Sequence, residues 1–550
     1  MCGKGSRGQD IAREEHTVTA AGAAPVAAPV WSVDPRTGKH RERVAVEATA
    51  DAVDAAVRAA HAARDALADR GRRAALLRRA AALLEADGAQ LVAVADAETA
   101  LGAPRLTGEL ARTAYQLRSF ADLVDEGGFL DVRIDHPDPG LTPPRPDLRR
   151  YKIPLGVVAV YGASNFPLAF SVPGGDTASA LAAGCPVVAK AHPDHPATAE
   201  RCAALLRRAA TETGLPADVV VLVHGFQAGL DLVRHPLVAA AGFTGSVRGG
   251  RALHDAAAAR PHPIPFHGEL GSLNPVVVTG AAAAERADAI GTGLAGSMTL
   301  GTGQFCVKPG LVLVPEGAAG DRLLAALTAA AGANEPGTML DHRMRDAFHA
   351  GVHERSQLAD VQAPLTPVVE DGGHTVSAAV LTVPARHLAT GGPHDLLLEE
   401  CFGPVTVLAR CVDEDEAAAV LARVPGSLSA TLHLSTAESA GTDPAGRGAR
   451  LLAALTPLAG RVVVNGWPTG VAVAPAQHHG GPYPASTSTA TSVGATAVER
   501  WLRPVAYQDT PPALLPPALR DDNPLGLPRR VDDRPEHPMA DRPAGRAAGA

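Results

Sequence analysis

Aromatic side chains are scarce here: 10 Phe, 5 Tyr and 3 Trp in 550 residues, 3% of the chain. A core without them must rest on Ala, Val and Leu. The six cysteines (Cys2, Cys185, Cys202, Cys306, Cys401, Cys411) are scattered without CxxC spacing, so neither a zinc pattern nor a secreted disulfide framework is visible. Basic charge is in deficit, with 50 Lys+Arg against 58 Asp+Glu and a net charge of −8, which argues against nucleic acid or an anionic membrane as partner. The Ala/Pro-rich start follows Arg13, Glu14 and Glu15 and leads into no long apolar run. The reading is neither signal peptide nor membrane helix, and a cytoplasmic protein. A GxGxxG fingerprint is missing too; Gly225-Phe-Gln-Ala-Gly229 is only a weak echo.

What is present is enough chain for two or more domains. Residues 1–30 have no periodicity and read as a disordered arm, and 31–40 as turns. Apolar residues at helical spacing predict two long helices over 49–101, broken at 69–72, and another over 108–125. Five prolines make 136–150 an extended arm. From Tyr151 strands and helices alternate, with strands near 156–161, 186–190, 219–223 and 238–243. That interval predicts an α/β fold: a parallel, doubly wound nucleotide-binding sheet covered on both faces. A second alternating segment follows Asn274 and carries Cys306 near its start. The expected division is an arm over 1–30, a cofactor domain over 31–274, a catalytic α/β domain over 275–470, a return and arm over 471–508, and a disordered Pro-rich tail over 509–550.

Six stretches carry candidate chemistry. Tyr161-Gly-Ala-Ser-Asn-Phe-Pro follows a strand, so Asn165 either caps a turn or donates to a developing oxyanion. Lys190 ends a strand, either merely solvated or holding a ribose or phosphate. In Gly242-Phe-Thr-Gly-Ser246 the serine opens a helix, as an N-cap or a phosphate contact. Glu269, in Gly-Glu-Leu-Gly-Ser-Leu-Asn-Pro, has no cationic neighbour in sequence, so partial burial should raise its pKa toward that of a general base. Gly301-Thr-Gly-Gln-Phe-Cys306-Val-Lys-Pro places a cysteine on a glycine-rich turn, as inert packing or as a nucleophile. Glu399-Glu-Cys-Phe-Gly-Pro404 adds an acidic and aromatic pair near a turn.

These motifs occur in the order of the aldehyde dehydrogenase superfamily, which the chain resembles over about 31–508. Ser-Asn-Phe-Pro-Leu-Ala-Phe-Ser-Val-Pro-Gly-Gly-Asp, Gly-Gln-Phe-Cys, Asn465-Gly-Trp-Pro-Thr-Gly and His479-Gly-Gly-Pro-Tyr-Pro look most like the α-ketoglutaric semialdehyde dehydrogenase branch. The resemblance implies Cys306 as nucleophile, Asn165 as oxyanion donor and Glu269 as activator of the hydrolytic water. For the cofactor, NADP or NAD, it implies Lys190, Ser164, Gly245, Ser246, Glu400 and Phe402. The glutamate that many NAD-preferring relatives carry three residues after the lysine is Pro193 here, so NADP is tolerated. Ser164 and Glu-Leu-Gly-Ser depart from commoner patterns and fit the semialdehyde branch.

The substrate expected from the branch is 2,5-dioxopentanoate, oxidised without metal to 2-oxoglutarate. The alternatives are a long-chain aldehyde with NADP, a CoA-acylating reductase (against which Glu269 argues) and an inactive binding protein. Arg112 and Gln116 lie one helical turn apart, and on the resemblance they border the aldehyde entrance, suited to a substrate carboxylate. Residues 136–150 and 485–507 are expected to form an arm that pairs with a neighbour, in a homodimer or homotetramer.

Overall fold

Val157–Tyr161 reads Val-Val-Ala-Val-Tyr and is buried at every position, as a strand covered on both faces requires. In the computed structural model, which describes residues 27–368, 373–468 and 470–536, this strand is the middle of a five-stranded sheet. Val187–Lys190 and then Val220–Val223 lie on one side, Val238–Thr244 and then Phe266–Glu269 on the other, all parallel. The strand's side chains alternate between two cores. Val158 and Val160 pack with helices Arg70–Ala86, Ala103–Glu126, Gly175–Ala183 and Pro196–Glu212. Val157, Ala159 and Tyr161 pack with Ala50–Ala63, Phe226–Arg234 and Val247–Ala258. The doubly wound sheet is thus as expected, and its strand ends on one edge supply the site.

The first region differs in detail. Most of the predicted N-terminal arm lies outside the described residues, but Pro29–Asp34 already forms a strand paired antiparallel with Lys39–Val46, so 31–40 is a hairpin. Residues 49–101 form three helices rather than two: Ala50–Ala63, Arg70–Ala86 and Gly88–Thr99. Asp69 caps the second by accepting from Arg72 N at 3.0 Å, which places the break before it. The helix expected over 108–125 starts earlier, at Ala103, with a proline in its first turn, and ends at Gly127 in the left-handed region.

Between Glu269 and Val276 the chain leaves the first sheet for a seven-stranded one. Its order is Gln362–Leu365, Ala379–Pro384, Val405–Cys411, Leu311–Pro315, Val276–Val278, Ser427–His433 and Ala459–Val464. All neighbours are parallel except the first edge pair.

The C-terminal expectation needs correction. Far from being disordered after Asp509, residues 510–536 fold onto the body and extend a third sheet. Its order is Leu502–Gln508, Leu148–Pro154, Val132–Asp135, Arg529–Val531 and Arg534–Glu536. Prolines there make short 3₁₀ turns that bury Leu515, Leu519 and Leu527. Arg149, itself buried, donates to Leu519 O at 2.8 Å and to Asp521 Oδ1 at 2.7 Å. Of the segment 136–150, expected to bury little within one chain, residues 148–150 begin the second strand of this sheet. Residues 537–550 lie outside the described residues. Among the described residues no helix is long and apolar enough to cross a membrane.

Candidate active site

A cavity of about 1130 Å³ opens at the carboxyl ends of the first sheet, where open α/β sheets bind ligands. Asn165, Lys190, Ser246 and Glu269 all reach it because each follows or ends one of those strands. Cys306, Glu400 and Phe402 come to it from the second domain.

The cysteine loop is held by backbone geometry. Gly301, Thr302 and Gly303 all have positive φ, at 56°, 61° and 66°. A Cβ on Gly303 would lie 2.3 Å from the carbonyl carbon of Gly403, so only glycine lets this turn seat against the Glu-Cys-Phe-Gly-Pro loop. Buried Gln304 ties the turn down: its Nε2 donates to Gly301 O and Thr338 O at 3.2 Å, and its Oε1 accepts from Leu340 N at 3.0 Å. Asn274, a residue of the Glu-Leu-Gly-Ser-Leu-Asn-Pro motif, donates to Cys306 O at 2.8 Å and Lys308 O at 3.0 Å. Asn165 Nδ2 donates to Gln304 O at 2.8 Å, which uses one of its two N–H groups, and Asn165 and Cys306 line the same cavity.

His479 is the residue that sequence reasoning missed. Its Nε2 lies 3.7 Å from Cys306 Sγ and 2.9 Å from Glu269 Oε1, and the other Glu269 oxygen accepts from Ser492 Oγ at 2.7 Å. The motif His479-Gly-Gly-Pro-Tyr-Pro serves as a branch marker in the sequence, but nothing local says that its histidine meets residues 173 and 210 positions away. Glu269 also departs from expectation. Burial alone would raise its pKa, yet the charge and hydrogen bond of His479 and the hydroxyl of Ser492 outweigh burial and hold it below the usual carboxylate value. The Cys306 thiol is pushed well above its ordinary value by burial, then by the negative charges of Glu269 and Glu400. At rest it is therefore a protonated thiol beside a base.

The remaining predicted residues fall in two groups. Lys190, Ser164, Gly245, Ser246, Glu400 and Phe402 all line the cavity. Lys190 is buried, its ammonium 5.0 Å from the Phe226 ring, and burial lowers its pKa to about 8. Ser246 caps the helix Val247–Ala258, accepting from Gly249 N at 3.2 Å, so it is both N-cap and cavity wall. Burial raises Glu400 to about 7. Arg112 and Gln116 are outside this lining. Arg112 donates from Nε to Val471 O at 3.3 Å and sits 5.0 Å over the Phe170 ring, while Nη1 and Nη2 are buried without a partner. Burial lowers its pKa, opposed first by the charge of Glu109 and then by those of Cys306 and Glu269. Gln116 is buried against Gly175 and makes no hydrogen bond to those terminal nitrogens, so the two side chains are not joined as a pair.

The chain is similar to known proteins over most of its length. The profile of the Aldehyde dehydrogenase family matches residues 25–503. Alpha-ketoglutaric semialdehyde dehydrogenase 2 of Azospirillum brasilense is 46% identical over 93% of this chain and 94% of its own. Alpha-ketoglutaric semialdehyde dehydrogenase of Acinetobacter baylyi is 42% identical over 88% of this chain and 92% of its own. In fold, an NADP dependent enzyme of E. coli superposes with a TM-score of 0.72 at 24% identity, covering 87% of this chain and 94% of that one. With the family profile and these relatives each spanning most of its length, the chain belongs to the aldehyde dehydrogenase family.

Proposed function

We propose that the protein oxidises 2,5-dioxopentanoate to 2-oxoglutarate with a nicotinamide cofactor, through a thioester on Cys306. The observation that carries the chemistry is one imidazole nitrogen facing both the Cys306 thiol and the buried Glu269 carboxylate. A proton leaving Sγ passes to the Glu269–His479 pair, both members of which face the thiol. The thiolate then adds to the aldehyde carbon, and the second N–H of Asn165 Nδ2 would donate to the oxygen that gains charge. A bound nicotinamide supplies the hydride acceptor. Cys306 then carries the acyl group as a thioester. Once Glu269 is again ionised, Glu269 and His479 take the proton of the attacking water, and the acid leaves.

The cavity suits a dinucleotide. Lys190 and Phe226 would hold the adenine-side ribose, Gly245 and Ser246 the pyrophosphate, and Glu400 and Phe402 the nicotinamide ribose. NADP is favoured. Pro193 offers no carboxylate to repel a 2′-phosphate, and burial and then Asp341 raise the nearby Asp194 to about 8, which weakens its competition for the Lys190 cation.

Arg112 supports the acidic substrate over a long alkyl chain. Its two buried, unpartnered terminal nitrogens await an anion, and a substrate carboxylate would fill that role. The test is the absorbance of reduced nicotinamide with a panel of aldehydes, NAD and NADP, with and without CoA. The proposal expects highest kcat/KM with 2,5-dioxopentanoate, no CoA requirement, and a ten- to a hundredfold loss, roughly 1.5–3 kcal/mol, in Arg112→Ala on that substrate alone. Preference for long alkyl aldehydes would move the protein to the fatty-aldehyde alternative. Steady turnover by Cys306→Ala would overturn the chemistry itself.

A further inference from the structure

Three donor types that zinc accepts meet at one point: the Cys306 sulfur, the His479 imidazole nitrogen and a Glu269 carboxylate oxygen all lie within 4.8 Å of one another. A tetrahedral zinc with bonds of about 2.0–2.3 Å holds its donors roughly 3.3–3.8 Å apart. The separations of 3.7 Å from Nε2 to Sγ and 2.9 Å from Nε2 to Oε1 are already close to that spacing. The surroundings resemble those of built metal sites, in which a second layer of hydrogen bonds orients the ligands. Ser492 Oγ donates to Glu269 Oε2 at 2.7 Å, and Thr491 Oγ1 fixes the backbone of the histidine by accepting from the His479 backbone N–H at 2.8 Å. The His479 and Glu269 side chains are 1% and 4% exposed, while Cys306 and Glu269 border the cavity, which leaves a fourth position open toward it. A sulfur and an imidazole nitrogen select zinc over magnesium or calcium.

We propose that Cys306, His479 and Glu269 also form a Zn²⁺ site and that zinc occupancy is a reversible off-state of the enzyme. Binding replaces the thiol proton, which leaves to solvent, with a sulfur–zinc bond, and no group changes oxidation state. The bound sulfur no longer attacks a carbonyl, and neither His479 nor Glu269 is free to take a proton. The off-state rests on the reading under Proposed function; the metal site does not.

The probe is Co²⁺ added to the full-length, metal-free, reduced protein, because cobalt bound to a thiolate gives a charge-transfer absorbance that needs no turnover. The expected result is one cobalt per chain with that band, displaced by one equivalent of Zn²⁺. Cys306→Ser should lose the band, and His479→Phe or His479→Gln should weaken zinc binding by at least about tenfold. Circular dichroism of each variant separates a lost ligand from a lost fold. In the assay, stoichiometric Zn²⁺ should stop aldehyde oxidation and a chelator should restore it. No thiolate band in the wild-type protein, or a zinc affinity unchanged in both folded His479 variants, would overturn the site. A band with dehydrogenase activity that zinc leaves intact would overturn the off-state. A band in a protein that oxidises no aldehyde would support the site and refute the dehydrogenase reading.

Discussion

His479 carries more of the mechanism than its place in the chain suggests. Its imidazole lies within hydrogen-bonding reach of both the Cys306 thiol and Glu269. Replacing it by phenylalanine keeps a ring beside Phe170, whose centroid is 6.0 Å away, but removes the proton acceptor. His479→Phe should lower kcat by about 10²–10⁴-fold, with cofactor KM little changed, as rapid-mixing kinetics would measure. Glu269→Gln should behave differently, releasing a burst of reduced cofactor before stalling at the thioester, if its main work is in hydrolysis. Lys190 yields a pH prediction. Burial lowers its pKa to about 8, with Asp194 and Glu47 opposing that shift and Arg343 adding to it, so the cation is present below about pH 8 and lost above it. KM for NADP should therefore climb above pH 8, approaching tenfold per unit, while KM for NAD rises less. Parallel curves for the two cofactors would contradict a 2′-phosphate contact at Lys190.

At the scale of elements, two turns decide whether the site exists. Gly303 has φ 66° and its Cβ position falls on the backbone of Gly403 and Pro404. Gly303→Ala should displace the cysteine loop and abolish most activity, with Tm lowered; a fully active variant would show that the two loops are free to separate. The C-terminal segment acts as a staple on the third sheet. Removing 510–536 would take away the buried Leu515, Leu519 and Leu527 and uncover the surface they pack on, a loss of roughly 4.5–9 kcal/mol at 1.5–3 kcal/mol each, and would leave Arg149 without its Asp521 contact. Thermal unfolding of the truncated protein should begin at clearly lower temperature. An unchanged Tm would mean that these strands add nothing to the fold.

For the whole molecule, the third sheet ends on one side at Leu502–Gln508, whose outer edge has no partner among the described residues, while Arg534–Glu536 closes the other side. An unpaired edge is a place where a second chain adds. We expect a homodimer or a dimer of dimers built through it, with multi-angle light scattering at micromolar concentration as the check. A monomer would refute this, as would a dimer that survives two prolines placed at Ala506 and Gln508, whose N–H groups face away from Leu148–Pro154.

Much of this was legible in the chain itself, and the limit has a physical cause. Strand and helix signals are local: Val-Val-Ala-Val has to be buried on both faces, and the alternation that follows implies a doubly wound sheet. The motif residues Asn165, Lys190, Ser246 and Glu269 sit at strand ends, so knowing the strands also gives the edge on which they gather. What tertiary structure alone decided are contacts between distant stretches. His479 meets Cys306 across 173 residues and Glu269 across 210, and that meeting reverses the pKa direction expected for Glu269 from burial alone. One helix carries both Arg112 and Gln116, yet packing against Phe170 and Gly175 sends their polar ends to different neighbours. The Pro-rich tail reads as disorder because its few leucines have no periodicity, and they become a folded segment only against the surface that Val132–Asp135 and Leu148–Pro154 provide.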